Sequence, residues 1–484
     1  MNRKMIFYML GKIMLVEAGL LSLPILCGLI YREASVLWFV VTAAIAAAIG
    51  LLMTYISKTK DKTFFAKEGF VIVSLAWIMI SAVGALPFFL SGQIPNYINA
   101  FFETVSGFTT TGASILNDVT KLDKCMLMWR SFTHWVGGMG ILVFVMAILP
   151  TESGRTIHIM RAEVPGPVVG KLVPKIRSTA KILYLIYIAL TIIEFILLLC
   201  GNMKIFDSIV LSLGTAGTGG FAIRPDGLAS YTPYQQWVIA IFMMIFGINF
   251  NIYYLIITKK VINAIKSEEL WIYIIMILTA SGLIAYNTHS IYNNVGDAIR
   301  HAFFQVNAIV STTGYATTDF NLWPTLSKGI IIILMFIGGC AGSTAGGFKL
   351  SRVILLFKNA TATVKQMIHS RSVTAVRFEG KSVDNATILG VTNYLAIYTL
   401  CFFVILVIIL FEPFSFQMNF ATVTSCFNNI GPSFDMAGPM GNYDCYSYFA
   451  KIVLSFAMLL GRLEIFPMLI LFSPSVWKKR RAIS

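Results

Sequence analysis

Ten apolar stretches run through this 484-residue chain, at approximately 5 to 30, 35 to 57, 69 to 91, 130 to 149, 179 to 200, 235 to 257, 270 to 288, 329 to 349, 387 to 411 and 447 to 472. A helix needs about 20 such residues to cross the hydrocarbon of a bilayer. Four times, two of the stretches are separated by a shorter amphipathic segment that cannot cross: Tyr97 to Phe108, Lys204 to Gly214, Gly296 to Val310 and Phe416 to Phe427. Each segment runs into a small turn, namely Thr110-Thr111-Gly112-Ala113, Thr218-Gly219-Gly220-Phe221, Thr312-Thr313-Gly314-Tyr315 and Asn429-Ile430-Gly431-Pro432. A lone Thr-Thr-Gly is ordinary turn chemistry. A segment that enters a membrane and stops there, however, must bury its free peptide groups in protein or turn them to water. Four such segments satisfy that rule by converging on one aqueous axis, where a ring of backbone carbonyls can replace an ion's hydration shell.

The composition agrees. Hydrophobic residues make up 57% of the chain, charged residues 12%, and mean hydropathy is +0.78, as in a polytopic membrane protein. The first stretch follows Asn2, Arg3 and Lys4 and is read as a retained helix, being too long for a signal peptide and without a small-residue cleavage site. The net charge of +15 does not gather in one patch, so nucleic acid is not an expected partner. The basic residues sort by side instead. With both termini on one face, that face collects 26 of the 37 Lys and Arg, namely Arg3 and Lys4 and those in the segments Lys58 to Lys67, Arg155 to Lys181, Lys259 to Lys266, Lys349 to Lys381 and Lys478 to Arg481. The positive-inside bias then puts both termini in the cytoplasm and the four turns on the outer side. Seven cysteines contain no CxxC pair and suggest no metal site. Cys125 and Cys445 fall on the expected outer side, where the compartment permits a disulfide that nothing in the sequence requires.

The expected fold is an all-α polytopic membrane protein: four parallel helix/pore-loop/helix repeats around one pore, plus an N-terminal helix pair. The pair covers 1–66 and the repeats 67–160, 161–266, 267–385 and 386–484. The four turn glycines lie 108, 94 and 117 residues apart. Two spans per unit bring every copy into the membrane in the same sense, unlike the inverted repeats of many secondary transporters.

Glycine at each turn lets the flanking carbonyls aim at one axis, which a side chain resists. The preceding Thr offers a hydroxyl as a further oxygen. None of the turns contains Asp or Glu, and carbonyl and hydroxyl oxygens suit a monovalent cation better than a divalent one. The nearby acids Glu103, Asp207 and Asp297 are read as helix-end caps or ion-pair partners, against a direct role in attracting cations. If the short helices point their C-terminal ends at the axis, their dipoles favour a cation below the ring. Two features suggest a gate. The stretch 329 to 349 is interrupted by Gly338, Gly339, Gly342, Ser343, Thr344, Gly346 and Gly347, a run that helix propensity opposes. Close helix packing is the plainer explanation of a single small-residue pair, but five glycines within ten residues point to a broken helix. Arg462 stands in the middle of the last apolar stretch, where a charge costs about 3 kcal/mol or more and rarely faces lipid. Glu464, two residues on, faces elsewhere on a helix, which leaves an ion pair with another helix or a pore-facing cation barrier.

The stretch Ser106-Gly107-Phe108-Thr109-Thr110-Thr111-Gly112-Ala113-Ser114, with Ser311 to Tyr315 and Asn428 to Pro432, resembles the Trk/Ktr/HKT superfamily of potassium transporters, and the likeness covers essentially the whole chain. The added helix pair and the length are closer to the Trk branch, with its TrkH-type membrane subunits, than to the Ktr branch. The resemblance implies filter roles for Thr110 to Ser114, Thr218 to Ala222, Thr312 to Ala316 and Asn429 to Ser433, with K+ as the permeant ion. Some sodium-preferring relatives carry Ser at the position of Gly112, and the fourth turn, Asn-Ile-Gly-Pro, departs from the pattern and offers carbonyls without a threonine hydroxyl. The resemblance further implies a flexible intramembrane loop at the glycine run, a pore-facing Arg462, a homodimer, and a cytosolic ring of nucleotide-binding TrkA-type subunits. No GxxxxGK[ST] or strand-linked GxGxxG occurs, so no organic cofactor is expected in this chain. Three functions stay open: a gated potassium-selective pore, with weaker K+/Na+ selectivity as a variant; a Na+- or H+-coupled potassium transporter; and a membrane enzyme, which the five dispersed histidines argue against.

Overall fold

The computed structural model describes residues 2–58, 66–140, 176–369 and 375–474. The far end of the expected span 130 to 149, most of the basic loop before Ile176 and the basic C-terminus lie outside the described residues. The architecture is helical, with one small hairpin pairing Arg377–Phe378 with Lys381–Ser382. Its polarity is inverted relative to a soluble protein. Leu29, Leu51, Ile196, Leu278, Phe403 and Val407 are exposed, whereas Glu103, Arg130, Gln305 and the turn threonines are buried. That is the arrangement expected when the surrounding solvent is hydrocarbon.

The N-terminal pair is Arg3–Tyr31, in two helical pieces, and Val36–Ile56. Gly11 and Gly50 let the two backbones touch, since a Cβ on Gly11 would sit 2.9 Å from the Gly50 carbonyl oxygen and one on Gly50 2.8 Å from that of Gly11.

The first helices of the four units are Ala66–Gly84, Ile176–Cys200, Glu268–Thr288 and Asn385–Ile409. The short helices span Tyr97–Phe108, Ile205–Gly217, Val295–Val310 and Phe416–Phe427, close to the expected segments. Asn96 and Ser415 cap the first and fourth, their side chains accepting from Ile98 N and Met418 N.

The second helices are broken, as expected for the stretch 329 to 349 but not for the others. Among the described residues six helices have spanning length and apolarity, or seven if one bent pair counts as a span. The expected span 235 to 257 is Pro233–Phe246 and Phe250–Ile257, bent by 90°. The stretch 329 to 349 stops at Ile337, and helix resumes only at Leu350–Ile368. The stretch 447 to 472 stops at Arg462 and resumes at Phe466–Phe472, with Glu464 and Ile465 at positive φ. In the first unit Lys124–Gly138 ends at a glycine pair followed by Gly140 at φ +79°. Hydropathy does not reveal the breaks outside the glycine run, because the few interrupting residues sit within long apolar stretches. The freed peptide groups are satisfied across units: Cys340 N donates to Gly247 O at 3.0 Å and Phe250 N to Gly342 O at 3.1 Å.

Candidate functional site

Each short helix ends in the same way. The cap itself in the second helix, and the residue after the cap in the other three, takes the left-handed conformation, with φ of 56° at Thr110, 53° at Thr218, 57° at Thr312 and 56° at Asn429. Two residues later comes a glycine at positive φ: Gly112 at 80°, Gly220 at 76°, Gly314 at 81° and Gly431 at 106°. Backbone bonds that reach back into the helix close these ends, from Thr111 N to Ser106 O (2.9 Å), Gly219 N to Gly214 O (3.0 Å) and Ile430 N to Ser425 O (3.0 Å). The fourth turn thus keeps the backbone of the others although Asn replaces Thr.

The four turns close on one another. A Cβ on Gly112 would lie 2.0 Å from the carbonyl oxygen of Gly219, one on Gly220 1.8 Å from that of Thr313, one on Gly314 1.9 Å from that of Ile430, and one on Gly431 2.6 Å from that of Thr111. In every case the facing oxygen belongs to the residue just before the next glycine, so the order runs first, second, third, fourth and back to the first. The hydroxyls of Thr111 and Thr313 are engaged within their own turns, 2.8 Å from Thr109 Oγ1 and 2.7 Å from Ser311 Oγ. Backbone carbonyls therefore face the neighbouring turns, and the Thr111 hydroxyl also accepts from Asn429 Nδ2 of the fourth turn at 3.0 Å.

Each joint has its own support. Between the first and second turns, buried His134 has Nδ1 2.7 Å from Gly107 O, while its Nε2 accepts from Phe221 N at 3.3 Å. Beside it Arg130 pairs with Glu103 at 2.7 Å, side chains 2% and 0% exposed, and donates to Ala222 O at 3.2 Å. Between the second and third, Leu228 N donates to Ala316 O at 2.8 Å. Between the third and fourth, Asn321 and Asp435 exchange two bonds and Phe320 packs edge-on against Phe434. Sequence reasoning left His134 and Arg130 unmarked. Arg130 stands at the very start of the stretch 130 to 149, so the signal that singled out Arg462, a charge in the middle of an apolar stretch, is weaker there. The three acids are paired: Glu103 as above, Asp207 with Arg224 (3.3 Å) and Asp297 with Arg300 (2.8 Å).

A cavity of about 110 Å³ touches all four turn glycines on the side away from the helix ends, with Arg130, Arg224 and Asn117 in its wall. On the helix-end side, the glycine run lies against the ring. Gly346 N donates to Thr312 Oγ1 at 2.6 Å, and a Cβ on Gly346 would come within 2.8 Å of Asn428 O. A second cavity of about 60 Å³ is lined by Gly138, Gly342, Ser343, Gly346, Gly347, Lys349 and Arg462, so the breaks of the second helices meet there. Arg462 donates to Thr344 O at 2.9 Å and to Gly137 O and Gly138 O at 2.5 and 2.7 Å, joining the last helix to the glycine run and to the first unit. Glu464 is committed elsewhere, to Arg352 at 2.5 Å. Gly338 and Gly339 open the run; a Cβ on Gly338 would meet Gly346 O at 2.7 Å, so the run folds back on itself. Cys125 and Cys445 are free thiols.

A ring of backbone carbonyls held inside a polytopic helical bundle, with a cavity on each side, defines a membrane transport protein for a small ion rather than an enzyme. Comparison gives the family. Residues 37–479 match the family model "TrkH: Cation transport protein". The chain is 33% identical over 486 residues to the Trk system potassium uptake protein TrkH of Salmonella typhimurium, covering 99% of this chain and all of that one. It is 31% identical to the Trk system potassium uptake protein TrkG of Escherichia coli K12, covering 94% of each. The crystal structure of the potassium transporter TrkH from Vibrio parahaemolyticus superposes with a TM-score of 0.88 at 29% identity, over 99% of this chain and 100% of that one. The chain belongs to the TrkH family of cation transport proteins.

Proposed function

We propose that this chain takes up potassium across the cytoplasmic membrane through a gated, channel-like, K+-selective pore. The observation that carries the reading is the closed glycine–carbonyl ring, in which each of four turns sets the position of the next one's carbonyl. Oxygen ligands without carboxylates suit a weakly charge-dense monovalent ion, and the relatives named above are potassium uptake proteins. In this reading Thr110 to Ala113, Thr218 to Phe221, Thr312 to Tyr315 and Asn429 to Pro432 form the filter. The units are the repeats 67–160, 161–266, 267–385 and 386–484. The run Gly338 to Gly347, latched by Arg462, is the gate. Arg462 acts by holding the loop across the pathway as well as by its charge. The charge sorting supports both termini in the cytoplasm, and there the chain would work as a homodimer with a nucleotide-binding TrkA-type regulatory subunit.

The test is passive cation flux into liposomes carrying the purified chain. Potassium and rubidium flux driven by their own gradients supports the pore. Flux that appears only with a sodium or proton gradient replaces it with a coupled transporter.

A further inference from the structure

The four joints of the ring are not equally tight. At three of them a glycine Cβ would approach the facing oxygen within 1.8–2.0 Å, with glycine φ of 76–81°; at the fourth, where Gly431 meets Thr111, the clearance is 2.6 Å and φ is 106°. This is also the joint between the last turn and the first, which lie farthest apart along the chain. Tyr443, buried at 2% exposure, sits across it. Its hydroxyl donates to the carbonyl of Gly431 at 2.6 Å, and its backbone N–H donates to the carbonyl of Ser114 at 2.8 Å. The ring of Tyr443 packs against those of Phe102 and Tyr446, with centroids at 5.7 and 6.2 Å. Its neighbour Asn442 adds a bond from Nδ2 to Asn117 Oδ1 at 2.7 Å.

We propose that Tyr443 is a specificity-determining positioning residue that fixes the width of the ring at its loosest joint. This rests on the pore reading above. A buried phenol packed against two other aromatic rings has little freedom to follow the carbonyl it holds. The Gly431 backbone therefore keeps its place against the first turn instead of closing in around a smaller ion. Without the hydroxyl, the joint with the most room relaxes first, and the ring accepts sodium more readily. Potassium still passes, because three joints remain set by backbone packing.

The experiment compares sodium and rubidium flux through the full-length chain in liposomes for the native protein, Tyr443→Phe and Gly112→Ser. One hydrogen bond's worth of positioning corresponds to a rise of about three- to tenfold in the sodium/rubidium ratio for Tyr443→Phe. A ratio equal to the native one, or shifted toward rubidium, overturns the proposal even if the variant is less stable, since a merely structural tyrosine moves stability and not selectivity. Should Tyr443→Phe fail to fold, fluorinated tyrosines at 443 keep the shape and strengthen the donor stepwise. The ratio should then fall in step with phenol acidity at a pH where the phenol stays protonated; a flat series overturns the brace. If Gly112→Ser shifts the ratio and the Tyr443 variants do not, the brace is wrong and the pore stands. If none shifts it, the pore reading fails and the brace falls with it.

Discussion

The ring and the run of glycines beneath it are built from the same residue for different reasons. Each ring glycine faces backbone of another unit, so a side chain there has to move a neighbouring turn. In the run, a Cβ on Gly339 would meet Ala345 Cβ at 2.6 Å, one on Gly342 Asn249 Oδ1 at 3.1 Å, and one on Gly347 Gly338 Cα at 2.9 Å. Those neighbours are the run itself or the end of a side chain. Glycine therefore fixes a geometry in the ring, whereas in the run these positions meet the run itself or a side-chain end, and Gly346, whose Cβ would come within 2.8 Å of Asn428 O, is where the run bears on the ring.

The largest effect that can break this comparison comes from the ring. Gly220→Ala or Gly314→Ala combines a backbone conformation costing about 1–3 kcal/mol with an overpacking cost of about 1–3 kcal/mol. Both variants should abolish potassium uptake in cells lacking other uptake systems, with Gly112→Ala close behind and Gly431→Ala mildest in space. A reversed order would mean that the joints are not what the clearances describe. Next comes Arg130→Ala, which leaves Glu103 buried and unpaired behind the first two turns, at a cost of about 3–5 kcal/mol. Thermal unfolding of the purified chain in detergent should show a large loss.

Below the ring the expected changes are smaller and of opposite sign in function. Arg462→Ala removes three bonds that pin the loop to the first unit and should raise flux about tenfold. Lost or unchanged flux at normal protein levels contradicts the latch. Thr312→Val removes the acceptor for Gly346 N–H and should raise flux about threefold. Thr312→Ser keeps the oxygen and should match the native protein; equal behaviour of the two variants would show that this bond does not restrain the loop.

Much of the ring was legible because its information is local. A short amphipathic segment, a turn glycine and the residue two places before it are read within a dozen positions, four times over. Even Asn429, which broke the threonine pattern, occupies the shared left-handed geometry, since Asn tolerates it better than most residues. The braces were not legible, because they join residues far apart in the chain: His134 to Phe221, Tyr443 to Ser114, Asn429 to Thr111. The breaks in the second helices fell between these cases. Gly138 and Gly140, Gly247, and Gly461 were visible as small residues, but an apolar stretch containing glycine reads as a tightly packed span until its freed peptide groups are seen bonded to another unit.

The central claim is that the four turns are one selective ring, and sodium flux through Gly112→Ser tests it most directly. The serine Cβ would fall 2.0 Å from the Gly219 oxygen, so the second turn must give way. In liposomes under imposed potassium, rubidium and sodium gradients, the native chain should pass potassium and rubidium passively, and Gly112→Ser should admit sodium as well. Unchanged selectivity in a folded Gly112→Ser protein, or native flux only when a sodium or proton gradient is supplied, would contradict the account.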